Sequence, residues 1–343
     1  MACCWFTTFL ASLLVVVYTS TCACAISTTP FSSTQIKFWS ENVQNKMPTP
    51  ILKKLSPLTQ NDCDLYTNNN VKFSADSRFC SMAKLSCGSA VLESSLRPDH
   101  ALAAAYSNAY GQVISSNIQL ALDQKNADPF SFFRINSTLK INGNPVHIPN
   151  LKDSLPGRAF LPPQIASKIP LNIKDITRLF PAGAATKQTI EKTLYYCNAA
   201  AIKGEVKSCP KSLEEMIDFS KSALGGNRLI SLTSKSTQGS NTQLTINNLK
   251  KFNADKIVAC HEAFLPFAAY FCHSLPSTSL YSVDLVEPKT GAPVNTLVAI
   301  CHMDTSAWPE NHVAFKILKL RPGQGEACHW FTQLDLAWIL HTE

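Results

Sequence analysis

Beyond its first 25 residues the chain has no apolar run approaching the ~18 residues that a membrane-spanning helix needs, so no such helix is expected there. It also lacks G-x-S-x-G, H-E-x-x-H, the phosphate-binding loop and the dinucleotide fingerprint, which removes the common hydrolase, zinc-protease and nucleotide-binding grammars. No long-period repeat is visible, and no short C-x₂₋₄-C spacing supports a zinc ribbon. Carboxylate pairs such as Glu214-Glu215 fall on the exposed face of a predicted helix, so a glycosidase reading has no support. Charge is thin as well. None falls within the first 25 residues, and the net +7 of the remainder is spread out, densest at "ILKK" and "NNLKKF". That distribution argues against nucleic acid and leaves an acidic polysaccharide, or simply a solubilising surface charge with no specific partner.

What the N-terminus does contain is an apolar core from about Phe9 to Tyr18, followed by the small-residue triplet Ala23-Cys24-Ala25. This reads as a secretory signal peptide over residues 1–25, cleaved to leave a soluble chain. Export places the nine remaining cysteines in an oxidising compartment, where disulfides are expected. Asn136-Ser137-Thr138 is a glycosylation acceptor consistent with that route.

Residues 26–130 read as a Ser/Thr-rich linker, "ISTTPFSSTQ", and then a small helical region. The first helix is expected over "IKFWSENVQNKM", ended by Pro48. Cys80 and Cys87 are placed to be stapled together within this region. From residue 131 the texture turns extended and Pro-rich. One strong helix, Ser212 to about Leu224, is marked by a Ser212/Glu215 capping box and a Gly225-Gly226 stop. Cys197 and Cys209 bracket eleven residues just before it and are expected to pair. Eight segments then read as strands: "RLISLTSK", "NTQLTINNL", "KIVACHEA", "AYFCHSL", "SLYSVDLVEP", "NTLVAICHM", "HVAFKILKL" and "ACHWFTQ". The fold class is therefore α+β, a mostly antiparallel C-terminal domain (131–343) with a small helical N-terminal region.

Four Cys-His dipeptides, at 260–261, 272–273, 301–302 and 328–329, lie in the last quarter. Random order would give roughly 0.2 such pairs. Successive strand side chains point to opposite faces, so a cysteine can be stapled on one side while its histidine projects from the other. Pairwise stapling of four such strands would fix four imidazoles in space. Neutral imidazole suits copper, zinc, iron or nickel, and an oxidising compartment without free thiolate favours copper(II).

The spacing CH-x₁₀-CH-x₂₇-CH-x₂₅-CH, with "SFFRINSTLK", "RAFLPPQIASKIP", "SLEEMIDF" and "AICHMDTSAWPENHVAFKILKLRPGQ", resembles the plant BURP domain over Phe132 to about Trp338. Upstream, "FWSENVQNKMPTPILKKLSPLT" and "FCSMAKLSC" look most like the subgroup related to the polygalacturonase non-catalytic beta subunit. Among BURP proteins are copper-dependent peptide cyclases. The resemblance implies an oxidative macrocyclase with two type II copper centres and dioxygen as co-substrate. It would crosslink a Tyr or Trp side chain to a carbon of a ribosomal precursor peptide, supplied in trans. His261, His273, His302 and His329 would be the catalytic copper ligands, and His312 an extra ligand. Cys260, Cys272, Cys301 and Cys328 would be the staples, in any of three connectivities, which leaves Cys63 unpaired. Asp304 and Thr305 would orient a ligand imidazole, and Trp308 and Trp330 would wall a peptide site. Tyr106 and Tyr110, in "AAYSNAYGQ", are the only trace of a self-modified segment. The alternative is a non-catalytic secreted wall protein that binds pectin or polygalacturonase.

Overall fold

The computed structural model describes residues 29–67, 75–87, 128–141, 143–152, 157–180 and 184–341. The signal-peptide segment and Tyr106 and Tyr110 lie outside the described residues. The helices are α1 (Phe31–Asn42), α2 (Thr49–Leu52), α3 (Gln60–Thr67), α4 (Ser77–Met82), α5 (Ile135–Thr138), α6 (Pro163–Ala166), α7 (Ile173–Leu179), α8 (Ala184–Asn198), α9 (Leu213–Leu224) and α10 (Val313–Leu318). The strands are β1 (Phe132–Phe133), β2 (Pro145–His147), β3 (Val206–Ser208), β4 (Leu229–Leu232), β5 (Gln243–Lys251), β6 (Val258–Phe264), β7 (Ala268–Ser274), β8 (Thr278–Val286), β9 (Pro293–His302), β10 (Ala327–Trp330) and β11 (Leu336–Leu340).

The strands form two antiparallel sheets, ordered β1-β10-β9-β8-β5-β2 and β3-β7-β6-β11-β4. Alternation decides what each face buries. Ala259, Ala337 and Ile339 of the five-stranded sheet meet Leu280, Val298 and Ile300 of the six-stranded sheet, with Phe331 between them. On the far side of the five-stranded sheet, Cys260, Tyr270, Cys272 and Trp338 pack under α1 and α9 through Trp39, Leu213 and Met216. The far side of the six-stranded sheet buries Cys301, Cys328, Tyr281 and Trp330 with Phe133, Leu139 and Ile148. The chain is α+β, with most of its C-terminal part in these two sheets.

α9 forms where its boundary residues require it. Ser212 accepts a hydrogen bond from the Glu215 amide at 3.1 Å, and the Glu215 carboxylate accepts from the Lys211 amide at 2.8 Å. Gly225 ends the helix at φ +77°, a left-handed conformation that glycine adopts without a Cβ penalty.

Three local expectations are corrected. α1 begins at Phe31, inside the segment read as a linker, and stops at Asn42 rather than Pro48. Phe31 is buried and its amide donates to Leu58 O, which anchors the start, while Val43 leaves the helix to form a bridge with Leu229. The segment "HVAFKILKL" is helical over Val313–Leu318, not a strand. His312 accepts from the Ala314 amide as its cap, and Lys319 closes it at φ +54°. α8 has no counterpart among the expected elements.

The N-terminal segment packs directly on the five-stranded sheet. Trp39 and Trp338 lie with ring centroids 5.5 Å apart. Lys54 Nζ reaches Glu262 Oε1 at 2.6 Å, and an Arg158 guanidinium nitrogen reaches the same oxygen at 3.0 Å; all three residues are buried. A buried carboxylate facing two cations is a contact that either side must keep, since removal of one partner leaves a charge uncompensated. No helix among the described residues is long and apolar enough to cross a membrane.

Candidate functional site

The Cys-His dipeptides occupy β6, β7, β9 and β10, and strand register resolves the three open connectivities. Cys260 faces Cys272 across β6 and β7 and is bridged to it, S–S 2.03 Å. Cys328 faces Cys301 across β10 and β9 and is bridged to it, S–S 2.07 Å. Cys80–Cys87 and Cys197–Cys209 are the other bridges, and Cys63 is a buried free thiol. Burial and the neighbouring Asp62 and Asp64 push that thiol up to about 12, which keeps it protonated and unreactive.

Directly opposed residues share a face and adjacent residues do not. Each bridge therefore turns its sulfurs outward, beneath the covering helices and loops, and its two histidines inward between the sheets. Four rings meet there as a closed quadrilateral. Centroid separations are 5.6 Å for His261–His273, 5.8 Å for His273–His302, 5.8 Å for His302–His329 and 5.4 Å for His329–His261. Phe331 closes one side, 5.3 Å from His261 and 5.7 Å from His329. Exposure of the four is 5%, 3%, 3% and 1% for His261, His273, His302 and His329.

Burial pulls the proton affinities down. His273 is lowered, His302 lies well below the usual imidazole range, and His329 falls to about 3, each chiefly because a charged ring would be desolvated. The two histidines of the five-stranded sheet face carboxylates that the sequence did not announce. His261 Nδ1 is 3.3 Å from Asp335 Oδ1. His273 Nδ1 is 3.4 Å from Glu205 Oε1, an electrostatic contact outside hydrogen-bond geometry. Burial by itself would raise Asp335, but the hydrogen bonds from His261 and Thr332 outweigh it and hold the carboxyl below its ordinary value. The "T-x-x-D" turn at Thr332–Asp335 could have marked a fixed carboxylate, yet nothing local ties it to a histidine 74 residues away.

Of the remaining expected site residues, Trp308 and His312 border the quadrilateral on the His302 side and the others take no part in it. His312 packs against Trp308 at 4.3 Å and accepts from Ala314 N through Nδ1, which puts its ring proton on Nε2. Asp304 is exposed and accepts from the Ser306 amide. Buried Thr305 donates to Gly325 O and accepts from Gly323 N, so it pins a loop rather than an imidazole. Trp308 stacks edge-on to His302 at 5.3 Å, whereas Trp330 sits on the opposite face of the sheet against Phe133. The two tryptophans form no common wall. Asn136 is exposed on α5.

Neutral, buried imidazoles backed by carboxylates are the donor chemistry of an imidazole-seeking divalent ion. His261 Nε2 and His329 Nδ1 are buried with no hydrogen-bond partner. As placed, however, no group of three or more His, Cys, Asp or Glu among the described residues converges so as to hold a metal.

Residues 131–340 match the BURP domain. The chain is 36% identical to Polygalacturonase-1 non-catalytic subunit beta of Solanum lycopersicum over 247 residues, covering 68% of this chain and 39% of that protein. It is 39% identical to Polygalacturonase 1 beta-like protein 1 of Arabidopsis thaliana over 221 residues, 62% of this chain and 35% of that protein. BURP domain-containing protein 16 of Oryza sativa subsp. japonica is 30% identical over 351 residues, 97% of this chain and 98% of its own length. The chain thus spans less than two fifths of the polygalacturonase subunits it matches and nearly the whole of the rice relative.

These relatives overturn the expectation of a copper- and dioxygen-dependent peptide cyclase, because the tomato protein similar to this chain is named a non-catalytic subunit. The geometry agrees. A cyclase must bring a Tyr or Trp side chain to its redox centre, and all four rings here are closed off between packed sheets. The precursor-peptide partner falls with that activity. The Cys-His register, the four bridges and the match over 131–340 together place this chain in the BURP-domain family.

Proposed function

We propose that this chain is a non-catalytic protein of the plant secretory pathway that acts in the cell wall as a partner of a polygalacturonase. The observation that supports this reading best is its 36–39% identity, across the BURP domain, to proteins named as polygalacturonase non-catalytic and beta-like subunits. The buried histidine quadrilateral is consistent with it, since the sulfurs and imidazoles work as interior structure and leave the outer surface to meet a partner. The mature protein, mixed with a plant polygalacturonase and run on size-exclusion chromatography with light scattering, should co-elute as a defined complex. Alone it should release no reducing ends from polygalacturonate. Separate elution at tens of micromolar would refute the reading.

A structural copper ion is a second element of the proposal, favoured by the unpartnered buried nitrogens of His261 and His329. His261, His273, His302 and His329 would hold it only after their rings closed in, since as placed they do not converge on one point, and its contribution would be to tie one sheet to the other. Metal analysis of the secreted protein should find copper, and chelation should lower the melting temperature; a chelator-insensitive melt with no copper present would contradict it.

A further inference from the structure

The six-stranded sheet curls until its two outermost strands, β1 and β2, come to line one cleft. Among the described residues the ladder does not close between them. Side chains and loops bridge the gap instead. Asp128, just before β1, accepts from the Asn150 amide at 3.2 Å, and the Phe130 and His147 rings stack with centroids 3.8 Å apart. α5, which leads from β1 towards β2, gives Ser137 and Thr138 to the same cleft, and α10 gives Ile317 and Leu318. The space is about 340 Å³, bounded at one end by α5 and at the other by Pro129-Phe130. That is the lower end of the usual range for small-ligand sites, about 300–1,000 Å³.

The lining is made of rings and aliphatic groups more than of hydrogen-bonding ones. Trp330 and Phe133, with ring centroids 4.7 Å apart, are buried beneath it, while Phe130 is 44% exposed and carries the aromatic lining out to solvent. The hydroxyls are already engaged: Ser137 Oγ donates to Arg134 O at 2.9 Å and lies 3.2 Å from Thr138 Oγ1. A polyol, which needs a partner at every ring position, would find few here. A flat ring would find faces and edges to pack against, the arrangement aromatic pairs prefer.

The mouth of the cleft is cationic. Lys316 and Lys319 flank Ile317-Leu318, both are exposed, and neither ammonium makes a hydrogen bond or ion pair among the described residues. The nearby carboxylates are committed elsewhere, since Asp128 accepts from the Phe130 and Asn150 amides and Glu326 pairs with Arg134. Two uncompensated cations favour an anionic group at that end of the ligand. Because α5 and Pro129-Phe130 block both ends, the cleft admits one ring with a short tail and not a run of polypeptide backbone.

We propose that this cleft binds a small planar aromatic carboxylate, its ring packed beside Phe130 and against Ile317 and Leu318, its carboxylate at the mouth with Lys316 and Lys319. The site stands on its own geometry and does not depend on the polygalacturonase partnership.

Isothermal titration of the whole mature protein with cinnamate, its methyl ester, cyclohexanepropanoate and the blocked dipeptide N-acetyl-phenylalanyl-aspartate amide tests it. Cinnamate should bind, and the ester, which lacks the charge, and the cyclohexane acid, which lacks the aromatic face, should each bind about ten-fold more weakly. Phe130→Ala should bring cinnamate level with the cyclohexane acid. Lys316→Met combined with Lys319→Asn should bring it level with the ester; asparagine suits the left-handed φ of +54° at that position. Lys251→Met, an exposed position at the end of β5 away from β2, should change nothing. The ligand series is read on the unaltered protein, so it decides even where a substitution lowers the melting temperature. No binding of cinnamate at millimolar concentration, unchanged affinity in both cleft variants, or an equal loss in Lys251→Met would overturn the proposal. Equal binding by the cyclohexane acid would overturn the aromatic assignment and equal binding by the ester the anionic one. Tighter binding by the dipeptide would overturn the small ligand in favour of a protein partner.

Discussion

The stapled pair β6–β7 and the stapled pair β9–β10 share one covalent plan, a bridge between directly opposed cysteines with a histidine on the reverse face beside each. They differ in what those histidines meet. In β6–β7, His261 faces Asp335 and His273 faces Glu205, both buried carboxylates. In β9–β10, among the described residues, His302 makes one side-chain hydrogen bond, to the Thr278 hydroxyl at 3.3 Å, and His329 Nδ1 meets no polar partner. The dipeptide therefore fixes where an imidazole sits. Its electrostatic setting comes from loops far away in the chain, so the two halves of one quadrilateral answer differently to protons and to mutation.

Acid should expose that difference most strongly. His302, His329 and His273 have folded-state affinities below their unfolded value of about 6.5, so the unfolded chain binds more protons once the pH drops below that value. Their contribution is complete above about 6.5 and is lost as pH falls through each folded-state value, which for His329 is about 3, a loss of about 1.4 kcal/mol per pH unit for that residue between the two. Thermal melts of the metal-free protein from pH 7 to 4 should show a steep loss, and His329→Gln should flatten it by one proton. A level profile would break the comparison.

Removing the bridges should come next. The chain-entropy estimate for a separation of 12 residues, Cys260–Cys272, is about 3 kcal/mol, and for 27 residues, Cys301–Cys328, about 3.5 kcal/mol. Urea denaturation of the two double Cys→Ser variants should rank them in that order. The reverse order would mean that native packing around Cys260, under α9, outweighs loop closure.

Smaller effects sharpen the contrast between the partners. Asp335→Asn removes a charge-assisted contact to His261 and weakens the acceptor for Thr332, a loss of about 2 kcal/mol. Thr278→Val removes a neutral hydrogen bond to His302, a loss of about 1 kcal/mol. Equal losses in denaturation would show that the carboxylate adds nothing beyond a hydrogen bond.

Much of this arrangement is legible in the sequence because strand alternation is a local rule. Cys260-His261 and its three counterparts have to put sulfur and imidazole on opposite faces wherever they lie in a strand. Pairing was not legible, since only the register of β6 on β7 and of β10 on β9 selects one connectivity of three. Nor were the carboxylates: Glu205 and Asp335 reach their histidines through the placement of β3 and β11, a product of long-range packing. "HVAFKILKL" misled because Val313, Phe315 and Ile317 alternate like a strand, while a helix buries Val313, Ala314 and Phe315 equally well. The step from imidazoles to oxidation failed for a related reason. The dipeptides look the same whether their rings line an open site or an interior, and only burial separates the two.

Histidine-resolved hydrogen–deuterium exchange by mass spectrometry tests that burial most directly. His147 and His341 are partly exposed and serve as internal references. The ring C–H groups of His261, His273, His302 and His329 should exchange far more slowly than those of the two references. Exchange at the rate of His341 would show the quadrilateral open to solvent and contradict its assignment as interior structure.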